Sequence, residues 1–357
     1  MIAELFSDLN FIINKNKLNA IELERKKELN LDNDIIHFNS ETKINDPDLL
    51  KIDYFSKKSG SLDYQKVDGL LNKIKKTNWK SALLDYFGDD DAAQKRVFSN
   101  MRINWIDLID IKKNDLVLDF GCGLGSVSIK LGNQFRVVSI DKSLENIKIL
   151  NQIRIQDKLQ ILPMCIQNLE LPFNDNSFNL IYLIGSLEWL PYDFTENPKK
   201  IIEKYLLEFY RILKPGGKIF IASENSNYIG YYFGIPESHT AIKYLSLLKN
   251  NKANEFSKDL RNKDYRELTF DYDSINELLK KSGFVSSDYY WLYPDYSCPH
   301  QIIPIRENEN LIQYYIDNKL NPWEFTGQRV NTYNFFKLLK TNHVKYFIEH
   351  YGIIAQK

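Results

Sequence analysis

The fold is decided by nine residues, Val117-Leu118-Asp119-Phe120-Gly121-Cys122-Gly123-Leu124-Gly125. An apolar run, predicted to be a strand over 116–120, leads into three glycines at every second position. Residues 126–131 follow with the composition of a helix. Glycine permits a positive φ and lets a ligand come close to the backbone. A glycine-rich turn between a strand and a helix is typical of the cofactor-binding end of a parallel sheet.

A second acidic residue supports a cofactor site. Asp141 lies twenty residues after Gly121, at the end of a second predicted strand over 136–140. A carboxylate there can accept hydrogen bonds from both ribose hydroxyls of an adenosine. The alternative is a tight turn with a helix-capping acid, but the complete order of strand, loop, helix, strand and acid favours the cofactor. The GxGxG spacing and Asp119 before it suit the ammonium of a methionine moiety better than a pyrophosphate, so methyl transfer fits better than hydride transfer.

Strands and helices continue to alternate beyond this point. Further strands are predicted over 159–165, 179–184 and 218–223, with helices over 144–155 and 198–213. A helix over 273–282 and two strands over 285–292 and 301–305 end the pattern. We therefore predict an α/β fold, with a Rossmann-like, doubly wound, mostly parallel sheet of seven strands that ends in an antiparallel hairpin.

The chain is predicted to have three parts. Residues 1–90 have no convincing strand and are read as a mostly helical region that serves as a lid or a docking surface. Residues 91–306 form the cofactor-binding domain, with a long insertion over 225–270 of the kind that often carries function. Residues 307–357 are read as a helical extension.

Composition excludes several classes of protein. The chain has 47 Lys and Arg against 47 Asp and Glu, which gives no electrostatic case for nucleic acid. We find no signal peptide and no apolar stretch that could span a membrane. The three cysteines are scattered, which favours reduced thiols, a cytoplasmic location and no structural zinc. We predict no metal ion, and nothing indicates an oligomer.

These residues resemble the class I S-adenosylmethionine-dependent methyltransferases, from about Arg102 to Ile305. The resemblance includes Leu171-Pro172-Phe173 and Leu213-Lys214-Pro215-Gly216-Gly217. It implies that Gly121 and Gly123 contact the amino acid part of S-adenosylmethionine, and that Asp141 contacts the ribose. The residues just before Leu171 would flank the adenine, where the family often has Asp and this chain has Gln167 and Asn168. The implied cofactor-binding residues are Arg102, Asp119, Gly121, Cys122, Gly123, Gly125, Asp141, Lys142, Gln167, Asn168 and Gly185.

A narrower resemblance is to a bacterial subgroup encoded beside glycosyltransferases for surface polysaccharides. It is carried by Ile184-Gly185-Ser186-Leu187-Glu188-Trp189, Glu224-Asn225, Tyr232-Phe233-Gly234, Glu237-Ser238-His239-Thr240 and Pro294-Asp295-Tyr296. The chain departs from the subgroup at Ser226 and Tyr231, where basic residues are usual. That departure weakens any case for an anionic acceptor. A small molecule or a glycan is therefore the expected partner.

Two residues are candidates for the base that removes a proton from an acceptor hydroxyl. His239 lies in the insertion, and Glu188 follows the fourth predicted strand; the sequence does not choose between them. The alternatives are a surface histidine and a helix-capping or ammonium-binding glutamate. We predict acceptor contacts from Asn225, Tyr232, Glu237, Tyr290 and Tyr296. A set of aromatic residues could offer flat faces to a sugar: Tyr228, Tyr231, Tyr232, Tyr290, Trp291 and Tyr296. Aromatic residues at such spacing more often pack in a core.

The leading hypothesis is methyl transfer from S-adenosylmethionine, by in-line displacement, to a hydroxyl of a carbohydrate or a related small molecule. One alternative is N- or O-methylation of a peptide or specialised metabolite. Another is a non-catalytic subunit that binds the cofactor and supports a partner. The fourth strand lacks the Asn-Pro-Pro-Tyr or Asp-Pro-Pro-Tyr element of enzymes that methylate nucleobase or glutamine amines.

Overall fold

The structure is a computed structural model that describes residues 6, 8–13, 16–19, 36–38, 66–166, 169–248, 250–305, 309–318 and 334–357. The chain folds into two compact units. The first unit is Met1–Leu183 with Arg211–Lys218, and the second is Ile184–Tyr210 with Ile219–Lys357. In the described residues, no helix has both the length and the apolar character needed to cross a membrane.

The first unit contains a parallel sheet. Its strands are β3 (Ile36–Phe38), β4 (Leu116–Phe120), β5 (Arg136–Asp141), β6 (Ile161–Ile166) and β7 (Phe178–Ile184), in the order β7-β4-β5-β6-β3. Each neighbouring pair is parallel. All five residues of β4 and all six of β6 are buried, as expected for strands covered on both faces. A separate hairpin pairs β1 (Asn10–Ile13) with β2 (Asn16–Asn19).

Helices accompany this sheet. They are α1 (Val67–Lys76), α2 (Trp79–Phe87), α3 (Asp91–Phe98), a 3-10 helix (Asn100–Leu108), α4 (Ser128–Leu131) and α5 (Leu144–Asp157). Side chains cap several of them: Asn78 accepts from Lys80 N, and Ser143 accepts from Asn146 N. Trp79 ties α2 to α5, because its indole donates to Asp157 Oδ2 at 2.8 Å.

The rest of the helices and strands belong to the second unit, apart from residues 211–218, which belong to the first unit. They are a 3-10 helix (Leu187–Trp189), α6 (Pro198–Ile212), β8 (Leu213–Glu224), α7 (Ile229–Tyr232), a 3-10 helix (Leu245–Leu247), α8 (Asn250–Arg261), α9 (Tyr272–Lys281), β9 (Ser286–Tyr293), β10 (Gln301–Pro304), α10 (Glu309–Asn318), α11 (Thr341–Phe347) and β11 (His350–Gln356). The strand order is β10-β9-β11-β8. Both β10 and β11 are antiparallel to β9, with Tyr351 opposite Trp291.

Most predicted elements of the central domain are confirmed. The α/β fold with parallel strands and an antiparallel terminal hairpin is present, and β4 has the predicted bounds. Residues 91–108 form two helices, because the extended backbone of Ser99 (φ −66°, ψ 129°) separates α3 from the 3-10 helix.

Three details of the structure differ from the predictions. Residues 1–90 were expected to lack strands, yet β1, β2 and β3 lie there. The extension over 307–357 was expected to be helical, yet it ends in the buried strand β11. The described residues therefore contain more strands than the seven predicted. Two of the additional strands are β3, which pairs with β6, and β11, which pairs with β9, and in each case the paired residues are far apart in the chain. The boundaries of the three predicted parts stay predictions.

Candidate active site

The glycine loop of the first unit folds back on the end of β5. Backbone N–H groups of Gly121 and Cys122 both donate to Ile140 O, at 2.8 and 2.9 Å. Gly123 has φ +54°, and a Cβ there would meet no atom within 4 Å. Gly125 has φ +75°, and a Cβ there would lie 3.0 Å from Leu150 Cδ2 and closer still to Cδ1. Gly125 therefore allows the loop to pack on α5, whereas Gly123 leaves an open backbone that a ligand can approach.

Asp141 is held at the carboxyl end of β5 by the loop itself. Its Oδ2 accepts from Gly123 N at 2.7 Å, and its Oδ1 accepts from Ser143 N at 2.8 Å. Burial raises the pKa of Asp141, while these backbone donors and Asn146 act to lower it. An ionised carboxylate has about four acceptor positions, so capacity remains for a further donor. The geometry suits the predicted ribose contact, which stays a prediction.

Asp119 is buried beneath the loop. It accepts a hydrogen bond from the Ser128 hydroxyl, which also lies 2.7 Å from Ser139 Oγ. Burial raises the pKa of Asp119 to about 7, although Ser128, Tyr182 and the charge of Arg102 act to lower it. These contacts give Asp119 partners inside the first unit. Its predicted contact with the ammonium of a methionine moiety stays a prediction.

Replacing Asp119 with Asn is expected to change how stability depends on pH. The Asp119 carboxyl has a pKa of about 7 in the folded chain, against an ordinary value of 3.8. The unfolded chain therefore loses this proton at a lower pH than the folded chain does. The contribution of Asp119 to wild-type stability therefore falls as pH rises from about 4 to about 7 and then levels off. Between pH 5 and pH 8 the variant should gain about 3 kcal/mol relative to the wild type. Urea unfolding across that range measures the difference, with the exposed Asp110→Asn as control. Parallel pH profiles for wild type and Asp119→Asn would show that Asp119 ionises normally.

The other predicted cofactor residues lie in different parts of the chain. Arg102 and Cys122 are buried in the first unit, where Arg102 O accepts from the Trp105 indole at 2.8 Å. Lys142 follows Asp141 and is exposed. Gly185 lies in the second unit, where a Cβ on it would be 2.6 Å from the Tyr296 hydroxyl. Gln167 and Asn168 lie outside the described residues.

Four ionisable side chains meet inside the second unit, and we call them the His239 cluster: Glu188, Glu224, Glu237 and His239. His239 Nδ1 lies 2.5 Å from Glu237 Oε1 and 3.6 Å from Glu224 Oε2, while Nε2 lies 3.4 Å from Glu188 Oε1. Glu188 is 0% exposed, Glu237 and His239 are 1% exposed, and Glu224 is 7% exposed. Both residues predicted as the base are therefore brought together.

The cluster is supported by the backbone around it. Glu237 Oε2 accepts from the N–H groups of His239 and Thr240, at 3.1 and 2.7 Å. Ser238 donates to Glu224, and the Trp189 ring meets the His239 ring edge-on at 5.1 Å between centroids. These contacts fix the imidazole in one orientation.

Charges within the cluster shift its titration. Burial alone would lower the pKa of His239, but the carboxylates of Glu224, Glu188 and Glu237 raise it well above its usual range. Burial raises the pKa of Glu224 against the opposing effects of His239 and His350. The pKa of Glu237 is lowered: burial acts to raise it, but its hydrogen bonds and the imidazole charge outweigh burial.

Of the predicted acceptor contacts, Asn225 and Glu237 are engaged within the fold. Asn225 is fully buried and donates to Tyr346 O at 3.0 Å and Ile348 O at 2.7 Å, so its contacts favour a structural role. Tyr232 is 51% exposed, and its hydroxyl donates to Asn227 Oδ1 at 2.7 Å.

The remaining tyrosines divide between surface and core. Tyr290 and Tyr296 are partly exposed. Tyr228, Tyr231 and Trp291 are buried, which favours the alternative that these three pack in the core.

Sequence reasoning missed His350 as a neighbour of the cluster. His350 begins β11, is 5% exposed, and its imidazole charge lowers the pKa of Glu224. The Tyr296 ring lies 5.1 Å from the His350 ring. No local pattern could have placed His350 here, because its position depends on the pairing of β11 with β9.

The parallel strands, the glycine loop and Asp141 form the arrangement of strand, loop and acid that the cofactor prediction requires. Residues 118–221 match the family model described as a methyltransferase domain. This segment is therefore a class I methyltransferase domain, a kind of domain that uses S-adenosylmethionine as methyl donor.

Several known proteins are similar to the chain. A sterol 4-C-methyltransferase of Caenorhabditis elegans is 27% identical over 37% of this chain and 42% of its own length. The ubiquinone/menaquinone biosynthesis C-methyltransferase UbiE of Neisseria meningitidis is 26% identical over 56% of this chain and 77% of its own length. A solved structure of Haemonchus contortus phosphoethanolamine N-methyltransferase 2 with S-adenosyl-L-methionine covers 80% of this chain and 59% of that one, at 16% identity and a TM-score of 0.44. The chain spans about half the length of the first curated relatives it matches.

Proposed function

We propose that the protein transfers a methyl group from S-adenosylmethionine to a small-molecule acceptor. The observation that carries the proposal is the hydrogen bond between Gly123 N and Asp141, because it sets the open loop backbone beside a carboxylate within a segment that matches a methyltransferase domain. Cytoplasmic location is part of the proposal, and the three free thiols are compatible with it.

The chain's own residues would bind and orient the cofactor. Asp141 would accept from the ribose hydroxyls, and Gly121 with the open backbone at Gly123 would contact the amino acid part. Bound S-adenosylmethionine supplies a sulfonium methyl group that an acceptor can attack in line. Holding donor and acceptor in that orientation can supply much of the acceleration.

The acceptor is proposed to be a hydroxyl compound, with a carbohydrate as the class that the sequence predicts. The two curated relatives named above are C-methyltransferases, one of sterols and one of ubiquinone and menaquinone biosynthesis, so a carbon of such a compound is the other class to test. We keep His239 and Glu188 as the candidates for the base. Glu188 follows β7 and Glu224 ends β8, and α/β domains bind ligands beyond the carboxyl ends of their strands.

A transfer assay with isotopically labelled S-adenosylmethionine tests the proposal. The full chain would be incubated with three acceptor pools: free and nucleotide-linked sugars, hydroquinones with sterols, and protein or RNA. We expect label in one of the first two pools, and the pool decides the acceptor class. Asp141→Ala and the exposed Asp110→Ala are the loss-of-binding variant and its matched control.

Label found only in protein or RNA would contradict a small-molecule acceptor. Cofactor binding without transfer to any pool would instead favour a non-catalytic subunit. Absence of S-adenosylmethionine binding by calorimetry would overturn the proposal as a whole.

A further inference from the structure

Three donor atoms of the His239 cluster converge on one point. Glu224 Oε2, Glu237 Oε1 and His239 Nδ1 all lie within 4.8 Å of one another. Nδ1 is 2.5 Å from the Glu237 oxygen and 3.6 Å from the Glu224 oxygen. Around a tetrahedral ion with bonds of about 2.1 Å, neighbouring ligand atoms stand about 3.4 Å apart. The two separations lie on either side of that value, so small movements of these side chains would complete such a site.

The cluster buries more acidic side chains than basic ones. It contains three glutamates, Glu188, Glu224 and Glu237, and one imidazole, with His350 as a further basic neighbour of Glu224. All four side chains are at least nine-tenths buried. Buried carboxylates are paired with cations or bind metals, because burying an unpaired charge costs several kcal/mol or more. A divalent ion carries one positive charge more than the imidazolium proton that it would replace.

A separate observation concerns the other side of the imidazole ring. Glu188 Oε1 is fully buried, makes no hydrogen bond within the described part of the chain, and lies 3.4 Å from His239 Nε2. A histidine that binds a metal through Nδ1 carries its proton on Nε2, and it usually donates that proton to a carboxylate. Glu188 stands where such a carboxylate is needed. Neither Glu224 nor Glu237 can take this place, since both lie on the Nδ1 side.

We propose that Glu224, Glu237 and His239 bind one divalent transition-metal ion, with Zn²⁺ as the best-fitting ion and Glu188 as the carboxylate that orients His239. Zn²⁺ binds both imidazole nitrogen and carboxylate oxygen, whereas Ca²⁺ and Mg²⁺ prefer oxygen ligands alone. The ion would fasten the end of β8 to residues 237–240. The sequence predicts no metal ion, because the proposed ligands contain no pair of Cys or His residues at a spacing typical of zinc sites. The metal proposal therefore differs from the sequence prediction.

The metal site does not rest on the proposed function. With an ion on Nδ1, His239 is a ligand and no longer a free base, so the same experiment decides between these two roles. Failure of the metal proposal leaves the cofactor site and its tests untouched, because Asp141 and the glycine loop are different residues.

Metal binding by the full chain tests the proposal directly. The protein would be stripped with a chelator, checked for folding by circular dichroism, and titrated with Zn²⁺, Mn²⁺ and Mg²⁺ by calorimetry. We expect one Zn²⁺ per chain, a higher melting temperature in Zn²⁺, and little response to Mg²⁺. A Co²⁺-loaded sample should show the visible absorption of a four-coordinate site.

Variants assign the ligands. Glu237→Gln and His239→Gln should each weaken Zn²⁺ binding on the order of 100-fold or more, and Glu188→Gln by about 10- to 100-fold. Glu277→Gln, an exposed glutamate of the same unit, is the matched control and should bind Zn²⁺ as the wild type does. If the ligand variants do not fold, wild-type stoichiometry, the Co²⁺ spectrum and Glu188→Gln still decide the question.

Two results would overturn the metal site. One is an unchanged melting temperature and no bound ion in excess Zn²⁺. The cluster would then be held together by hydrogen bonds and not by a metal ion. The other is Zn²⁺ binding with the same affinity in every variant, which would place the ion elsewhere.

Discussion

Asp141→Ala is expected to remove most of the affinity for S-adenosylmethionine while the first unit stays folded. In the proposed complex the carboxylate accepts from two ribose hydroxyls, and a hydrogen bond to a charged group contributes about 1.5–3 kcal/mol. Losing both corresponds to about a 100-fold or greater loss of affinity. The loss is increased because Asp141 also holds the N–H groups of Gly123 and Ser143, and so shapes the loop.

Calorimetric titration of S-adenosylmethionine or its demethylated product measures this effect. Asp141→Asn keeps one acceptor oxygen for the loop and should lose less affinity than Asp141→Ala. Asp110→Ala removes an exposed carboxylate from the same unit and should bind as the wild type does. Wild-type affinity in Asp141→Ala would rule out the ribose contact and with it the main support for the cofactor site.

The sequence predicts those parts of the fold that local patterns encode. The apolar run at 116–120 followed by glycines specifies a strand and a turn, and β4 has the predicted bounds. Strand β11 carries no comparable signal, since its residues become a strand only by pairing with β9 more than fifty residues earlier. The same reason hid β3, a three-residue strand that pairs with β6 across more than a hundred residues.

The same distinction applies to the sites. Asp141 was predictable because a fixed spacing from the glycine loop places it at the end of the next strand. His239 and Glu188 were singled out separately, and the structure adds that they share a cluster with Glu224 and Glu237. Their convergence depends on how the insertion folds back on β8, and no spacing in the sequence encodes that. Asn225 shows what residue type cannot predict, because its side chain donates to backbone carbonyls near β11, while its acceptor contact stays a prediction.

Gly125→Ala is expected to destabilise the first unit by about 2–5 kcal/mol. The left-handed backbone at φ +75° costs a non-glycine residue about 1–2 kcal/mol. The added methyl group would also collide with both terminal carbons of Leu150, and forcing extra volume into a packed core costs about 1–3 kcal/mol. Gly123→Ala has the same backbone strain but meets open space, so it should lose only about 1–2 kcal/mol. Urea unfolding followed by circular dichroism compares the two variants.

A double-mutant cycle with Leu150→Ala separates the collision from the backbone strain. Shortening Leu150 removes the atoms that the new Cβ would meet, so Gly125→Ala should cost less in that background than in the wild type. The same cycle with Gly123→Ala should show no coupling, because nothing lies within 4 Å of its Cβ. The effect on cofactor affinity should be in the opposite order. Gly123→Ala should lose more affinity than Gly125→Ala relative to the stability that each variant loses, because the open backbone at Gly123 is where the ligand is proposed to approach. If Gly125→Ala loses the same stability in both backgrounds, the loop does not pack on α5 in this way. The positive φ would then be the only reason for glycine at position 125.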